Sequence, residues 1–372
     1  MAAQISHIIA GEEALERATG RRIDLEVGPT AVLFRLGAQG PDIFYHNRRT
    51  MPSGLHYGAL AHRRNFGTLV AGAARSMPTG DRTPGSPLGA YLLGLATHAP
   101  LDRAVHPFVI YFAGWADPSV PSTRNYRGCH PFLERLLDIG LLERKRALRA
   151  RDFGLSALLG LGPGLGLQGD SSDYVGAEQS EGLVALWEAG LRSAYPRSTG
   201  SDPLLPARIA NALADARHFY SATDPAATVK GGAREALLRS LGREEGRRLI
   251  SIVYPESIPE GLDPMNEGGA EWRDPAGTAF GGAEGGAEGG GPTRKSYLDL
   301  VEEGIADAAE AISLVLEYWD GRIEAEELAE GIGEGSLSLG GAHGQAARPR
   351  ICSPLPLSEA MDAEYASHVD LR

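Results

Sequence analysis

Histidines and carboxylates at helical spacing are the chemistry-bearing residues of this chain. Seven of the ten histidines, His7, His46, His56, His62, His98, His106 and His130, lie in the first 130 positions. Within them His98, Asp102 and His106 fall at i, i+4 and i+8. On a helix, successive members of such a set are only about 40° apart, so they form one stripe. At about 1.5 Å of rise per residue that stripe is roughly 12 Å long, too long for all three to bind one ion whose ligand bonds are about 2 Å. If all three bind, at least two metals are implied, with Asp102 able to bridge ions through its two oxygens while His98 and His106 serve different neighbours. His130 and Glu134 add a second i, i+4 pair, the spacing by which one helix face presents two metal ligands. Nitrogen and oxygen donors suit zinc. A single histidine of this kind is more often a capping or hydrogen-bonded core residue; two linked pairs at ligand spacing favour a metal.

The elements that must carry these residues read as helices. Residues 4–18 place Ile5, Ile8, Ile9 and Leu15 on one side, with His7 among them, and end near Gly20. GAQGPDIFYH (37–46) opens as a Gly/Pro turn, making Asp42 a helix-start residue with an exposed carboxylate. A helix follows over 55–74. Ser86 as N-cap and Pro87 at the first helical position begin a buried helix through His98, Asp102 and His106. Pro100 removes a hydrogen bond from that helix and is expected to kink it. His130 and Pro131 start an amphipathic helix over 129–153. Further helical patterns cover 180–195, 204–222, 232–253 and 297–321, and no run alternates long enough to build a sheet, so the expected class is all-α.

The remaining composition mostly excludes. Two cysteines, Cys129 and Cys352, are too few for a disulfide framework and wrongly spaced for a zinc finger, so any metal must use His and carboxylates. A net charge of -12 disfavours polynucleotide partners unless bound cations reverse the potential locally. The basic run ERKRALRARD (143–152) reads as the solvated face of a helix. GLGPGLG lacks the Gly-Lys-Ser/Thr ending of a phosphate loop. The first twenty residues have no basic start and no long apolar run, which points to a cytoplasmic protein, and no stretch reaches the roughly 20 apolar residues of a membrane span. Membrane contact, if any, is then peripheral. The organisation expected is an all-α metal-binding catalytic core over 1–256, a Gly/Glu-rich flexible insert over 257–293, a long helix returning to the core over 294–325, and a Gly-rich tail over 326–372 with little part in catalysis.

The run HAPLDRAVHP followed by CHPFLE resembles the core of the bacterial zinc-dependent phospholipase C family, whose related S1/P1-type single-strand nucleases share a trinuclear zinc architecture. The likeness covers about the first 135 residues, with a looser one in the 297–321 helix, and implies a multi-helix phospholipase C/P1 nuclease-like bundle. Carried onto this chain, it implies one zinc on Asp42, His62, His98 and an oxygen of Asp102, and a second on His106, His130 and Glu134. A third would take His7, the other oxygen of Asp102 and the amino-terminal residue, where this chain has Met1-Ala2 and the secreted enzymes a tryptophan. His62 is preferred over its rival His56 because AHRRNFG lies inside the apolar helix pattern. His46, His218, His343 and His368 read as surface or structural, with His218 a candidate for a pocket wall.

The reaction implied is zinc-dependent phosphodiester hydrolysis in which zinc-bound hydroxide attacks phosphorus and Asp42 acts as general base. The substrate would be a phospholipid or another small phosphodiester. Two rivals remain: a nuclease, for which Tyr45, Tyr57, Phe44 and Phe66 would be stacking platforms beside Arg63 and Arg64, and a non-catalytic protein stabilised by metal, in which each zinc would have four protein ligands.

Overall fold

The computed structural model describes residues 3–23, 28–160, 177–226, 232–276, 291–339, 341, 343–344 and 346–369. Among them the regular structure is helical, and the only extended pairing is an isolated bridge between Trp272 and Thr293. No described helix is long and apolar enough to cross a membrane. The helices that matter for the site are α1 (Gln4–Thr19), α2 (Pro29–Ala38), α3 (Asp42–Tyr45), α4 (Leu55–Ala61), α5 (Phe66–Ser76), α6 (Pro87–Ala113) and α7 (Cys129–Arg146). Around them pack α8 (Ala177–Ala194), α9 (Leu205–Ala222), α10 (Arg243–Ile250), α11 (Tyr297–Trp319), α12 (Ala325–Ile332) and α13 (Leu357–Val369).

At the centre is α6, buried on nearly every side because its residues are apolar nearly all round. Ser86 caps its start, the hydroxyl accepting from the Gly89 amide at 2.9 Å, and Pro87 occupies the first turn where no donor is needed. The helix runs unbroken through Pro100 and Pro107, so the expected kink does not divide the stripe. α2 crosses α6 at touching backbones: a Cβ on Gly37 would lie 2.1 Å from the Tyr91 carbonyl oxygen, and one on Gly94 2.0 Å from that of Phe34. Only glycine permits this approach.

α1 is held by a buried polar network on α7. Asp138 accepts from the Ile5 amide (3.1 Å), the Ser6 amide (2.7 Å) and the Ser6 hydroxyl (2.8 Å), meeting the positive end of α1 with a carboxylate. Tyr254 donates to the same group at 2.8 Å, and Arg135 completes it at 3.4 Å. His130, Glu134 and Asp138 thus form a second i, i+4, i+8 stripe, which the sequence reading truncated at Glu134. α7 stops at Arg146 rather than 153, and much of the basic run beyond Glu143 is paired: Arg144 with Glu267, and Lys145 and Arg146 with Glu13.

Three expected elements differ. The 55–74 helix is two helices, because Asn65 adopts φ 59 and the chain turns between Ala61 and Phe66. Within the presumed flexible insert, residues 257–276 are folded: Trp272 is fully buried, its indole donating to the Lys295 carbonyl at 2.9 Å, and Met265 is also in the core. These apolar anchors outweigh the Gly/Pro content that suggested disorder; the GGAEGGAEGGG repeat lies outside the described residues apart from its last glycine. The presumed tail is likewise folded, since Leu337, Leu357 and Met361 are fully buried. The GLGPGLG run after Gly160 lies outside the described residues.

His46, at the end of α3, stacks on Phe219 with ring centroids 3.9 Å apart and meets Tyr220 edge-on at 5.2 Å. Burial holds its pKa down to about 3. The folded protein therefore keeps His46 neutral while the unfolded chain takes a proton below about pH 6.5, so stability is lost as pH falls from there towards 3, by up to about 1.4 kcal/mol per unit. His46→Phe should retain the stack and reduce the slope of unfolding free energy between pH 6.5 and 5, measured by urea titration; equal slopes in the two proteins would sink this reading.

Candidate metal centre

Asp102 lies midway along α6 and is fully buried. Four imidazoles converge on it. Its Oδ1 is 3.1 Å from His7 Nε2, and its Oδ2 is 3.2 Å from His98 Nε2, 3.5 Å from His106 Nδ1 and 3.7 Å from His62 Nε2. Asp42 joins from α3, its Oδ1 3.0 Å from His62 Nε2. His62, at the C-terminal end of α4, reaches this point because the break at Asn65 ends the helix there. His56 is exposed, packs against Tyr57 and takes no part in these groups. Asp42, expected with an exposed carboxylate, is only 3 % exposed, because the Gln39–Pro41 turn points it inward.

The rings are oriented by backbone carbonyls. His62 Nδ1 lies 2.8 Å from the Gly58 oxygen, His98 Nδ1 3.1 Å from that of Ala38, and His106 Nδ1 2.9 Å from that of Leu337. A carbonyl can only accept, so each Nδ1 carries a proton and Nε2 is the atom left to ligate when the ring is neutral. That is the arrangement metal-binding histidines use. The Ala38 carbonyl is in reach because α2 and α6 touch at their glycines. Next to it Gly40, at φ +54, backs directly onto the His98 ring, where a Cβ would lie 2.2 Å from Cγ.

Residues from the expected tail complete the arrangement. Besides the Leu337 carbonyl on His106, the Leu337 amide donates to the His62 carbonyl at 2.9 Å. Arg103, the neighbour of Asp102, holds this segment by donating to the carbonyls of Ile332 (2.5 Å) and Gly333 (2.9 Å) at the end of α12. The tail therefore buttresses two of the candidate ligands, a role its composition concealed because backbone atoms perform it.

The polar atoms divide into groups able to hold a cation. His62, His98 and Asp102 form one, and His7, Asp42 and His98 form another that shares His98; His106, His130 and Glu134 form a third. In each, the ligand atoms lie within 4.8 Å of one another. All eight candidate residues are thus brought together, and neither cysteine belongs to any group among the described residues. The amino-terminal residue lies outside the described residues.

The geometry fits bound cations better than hydrogen bonds between these side chains. His62 Nε2, His98 Nε2 and Asp102 Oδ2 are buried and lie near one another, yet none is aligned for a hydrogen bond. Glu134 Oε2 is also buried without a partner, although Oε1 faces His130 Nε2 at 3.0 Å. A buried unsatisfied carboxylate oxygen costs at least about 1–3 kcal/mol, a penalty a cation removes. A void of about 10 Å³, roughly one water-sized probe, opens between His7, Asp102, His106 and Glu134. For Asp102, burial alone would raise the pKa, but the surrounding His106, His98 and His7 hold it well below the usual carboxylate range. Burial likewise opposes ionisation of Glu134, and His130 overcomes it. In both, the surrounding histidines favour the carboxylate form that a ligand needs.

Of the aromatic residues suited to stacking a base, Phe44, Tyr57 and Phe66 are fully buried. Tyr45 borders the site with its ring centroid 4.8 Å from that of His62, and buried Phe66 lies 6.2 Å from the His98 ring. Arg63 and Arg64 are exposed. His46 is a buried structural residue, as one of its two expected roles had it.

Gly40→Ala tests the close approach behind His98. The added methyl would push the ring off the Ala38 carbonyl, so metal content, measured by elemental analysis after dialysis against limiting zinc, should fall by about one ion per chain. Unchanged stoichiometry would show that His98 is not held by this contact.

No family model, no curated protein and no solved structure matches the chain.

Proposed function

We propose that the protein is a zinc-dependent phosphodiester hydrolase of the phospholipase C type. The observation that carries this reading is the convergence of His62 Nε2, His98 Nε2 and Asp102 Oδ2, buried and close but not hydrogen-bonded to one another. In this reading Asp42, His62, His98 and Asp102 hold one zinc, and His106, His130 and Glu134 a second. His7 and the Oδ1 side of Asp102 contribute to a third, with the amino-terminal residue as its further ligand. Zinc, when bound, supplies Lewis-acid polarisation of the phosphoryl oxygens and stabilises the entering and leaving oxygens of the displacement.

The chain's own residues set the rest. The carbonyls of Gly58, Ala38 and Leu337 hold three imidazoles in one tautomer, so the ligand field is organised before substrate arrives. Asp42 is the general base, taking a proton from the attacking water, and its neighbour His62 helps to keep it ionised against its burial. His130, whose side chain is 30 % exposed, marks the open side of the second group. With three protein ligands, that group leaves a coordination position for substrate or water, whereas a purely structural zinc takes four protein ligands. Burial of Phe44, Tyr57 and Phe66 weighs against the nuclease reading, because it removes the stacking platforms.

Elemental analysis should find two or three zinc ions per chain, and the protein should hydrolyse bis-p-nitrophenyl phosphate and a phosphatidylcholine analogue. Asp102→Asn keeps the shape but removes the charge offsetting the cations. It should lose at least one ion and reduce hydrolysis by about a hundredfold or more, on the order of the effect of disturbing a metal ligand or its partners. Glu134→Gln should weaken only the ion of the second group. Zinc-free protein, or an active Asp102→Asn with full metal content, would overturn the assignment.

A further inference from the structure

A cavity of about 1190 Å³ adjoins the metal centre. Tyr45 is in its wall, next to His62, and so is Pro131, the chain neighbour of His130. Through Tyr45 it adjoins the His62 group, although none of the eight candidate ligands itself lines it. His218, one of the residues considered for a pocket wall, also lines it.

The wall is strongly basic although the chain is acidic. Seven of its lining residues are arginines, against three carboxylates, Asp215, Glu244 and Glu245. Some of this charge is offset: Arg49 pairs with Asp215 at 3.3 Å, and Arg243 and Arg247 pair with Asp362 at 2.9 and 2.8 Å. The contact of Arg127 with Glu244, at 3.8 Å between exposed groups, offsets little. Arg48, Arg124 and Arg248 form no ion pair among the described residues. Arg48 donates to the Tyr45 carbonyl at 3.2 Å. Three unneutralised guanidiniums from separate chain segments in one concavity suit phosphate oxygens, which the planar fork binds in a bidentate way.

We propose that the cavity receives a head group bearing phosphomonoesters in addition to the scissile diester. This rests on the phosphodiesterase reading above and specifies its substrate class. The volume is a little above the roughly 300–1,000 Å³ of small-ligand sites, so a compact head group fits within it. A nucleic-acid strand would extend beyond it, over a protein of net charge -12 that repels its further phosphates.

The direct test compares zinc-loaded protein acting on phosphatidylinositol and on phosphatidylinositol 4,5-bisphosphate in identical detergent micelles, two diesters that differ only in two phosphomonoesters. The bisphosphate should show at least a tenfold higher kcat/KM. The triple substitution Arg48→Ala, Arg124→Ala and Arg248→Ala should bring the ratio near one at unchanged zinc content. Preference on either the lipid or its deacylated glycerol diester supports the proposal, and the better substrate of the two identifies whether a membrane or a soluble pool supplies it. A ratio near one in the wild type, or a ratio insensitive to the substitutions, overturns it. So does an oligonucleotide cleaved faster than the bisphosphate with the same arginine dependence. Should none of these diesters be hydrolysed with zinc bound, the phosphodiesterase reading fails by itself, and calorimetry with inositol 1,4,5-trisphosphate decides the cavity: binding at least tenfold weaker in the triple variant supports it, and equal binding rejects it.

Discussion

A carboxylate with no access to water, placed midway along the most buried helix, is the constraint around which this protein is arranged. Asp102 cannot be ionised at that position without compensating positive charge or donors close to it. The imidazoles of His7, His62, His98 and His106 approach from two sides. Each comes from α1, α6 or the break between α4 and α5, so those elements have little freedom to shift without exposing the carboxylate to an apolar surround. The glycine contact between α2 and α6 belongs to the same constraint, because it brings the Ala38 carbonyl close enough to orient His98.

α7 works at both ends of this arrangement. Its stripe of His130, Glu134 and Asp138 offers two candidate ligands and then, one turn later, the carboxylate that caps α1. Placement of α7 thereby sets the position of His7, the residue immediately after the capped amides. Burial raises the pKa of Asp138, whereas it fails to do so for Glu134 and Asp102, which lie among histidines. For Asp138 burial outweighs the donors and Arg135 around it, whereas for Glu134 and Asp102 the neighbouring histidines outweigh burial.

The protein's charge is divided by location. An overall excess of acid coexists with an arginine-lined cavity beside the candidate ligands. Formal net charge integrates over the whole surface, but an anionic group entering a cavity responds to the few charges lining it, where low-dielectric walls focus the field. The net negative charge therefore repels long polyanions but not a compact group inside the cleft.

Much of this was legible in the chain itself. The helical class followed from apolar periodicity, and the stripes at 98, 102, 106 and 130, 134 followed from the 3.6-residue turn, which any continuous helix imposes regardless of its surroundings. Ser86 and Pro87 marked the start of α6 for equally local reasons. Other decisions were tertiary. Whether His56 or His62 faced inward depended on a helix break at Asn65, a residue held in a left-handed conformation with its amide bonded to the Glu334 carbonyl, 269 positions away. Burial of Asp42 depended on a turn packed against α6. The segments after 257 and 325 read as loose because glycine, proline and glutamate dominate them, yet a few apolar anchors such as Trp272 and Leu337 find room in a core built by other elements. Backbone carbonyls that orient imidazoles leave no mark in residue types, since every residue has one. The cavity's arginines, from three segments near positions 48, 124 and 248, become neighbours only when the helices pack, because periodicity relates residues within one element and only packing relates elements to one another.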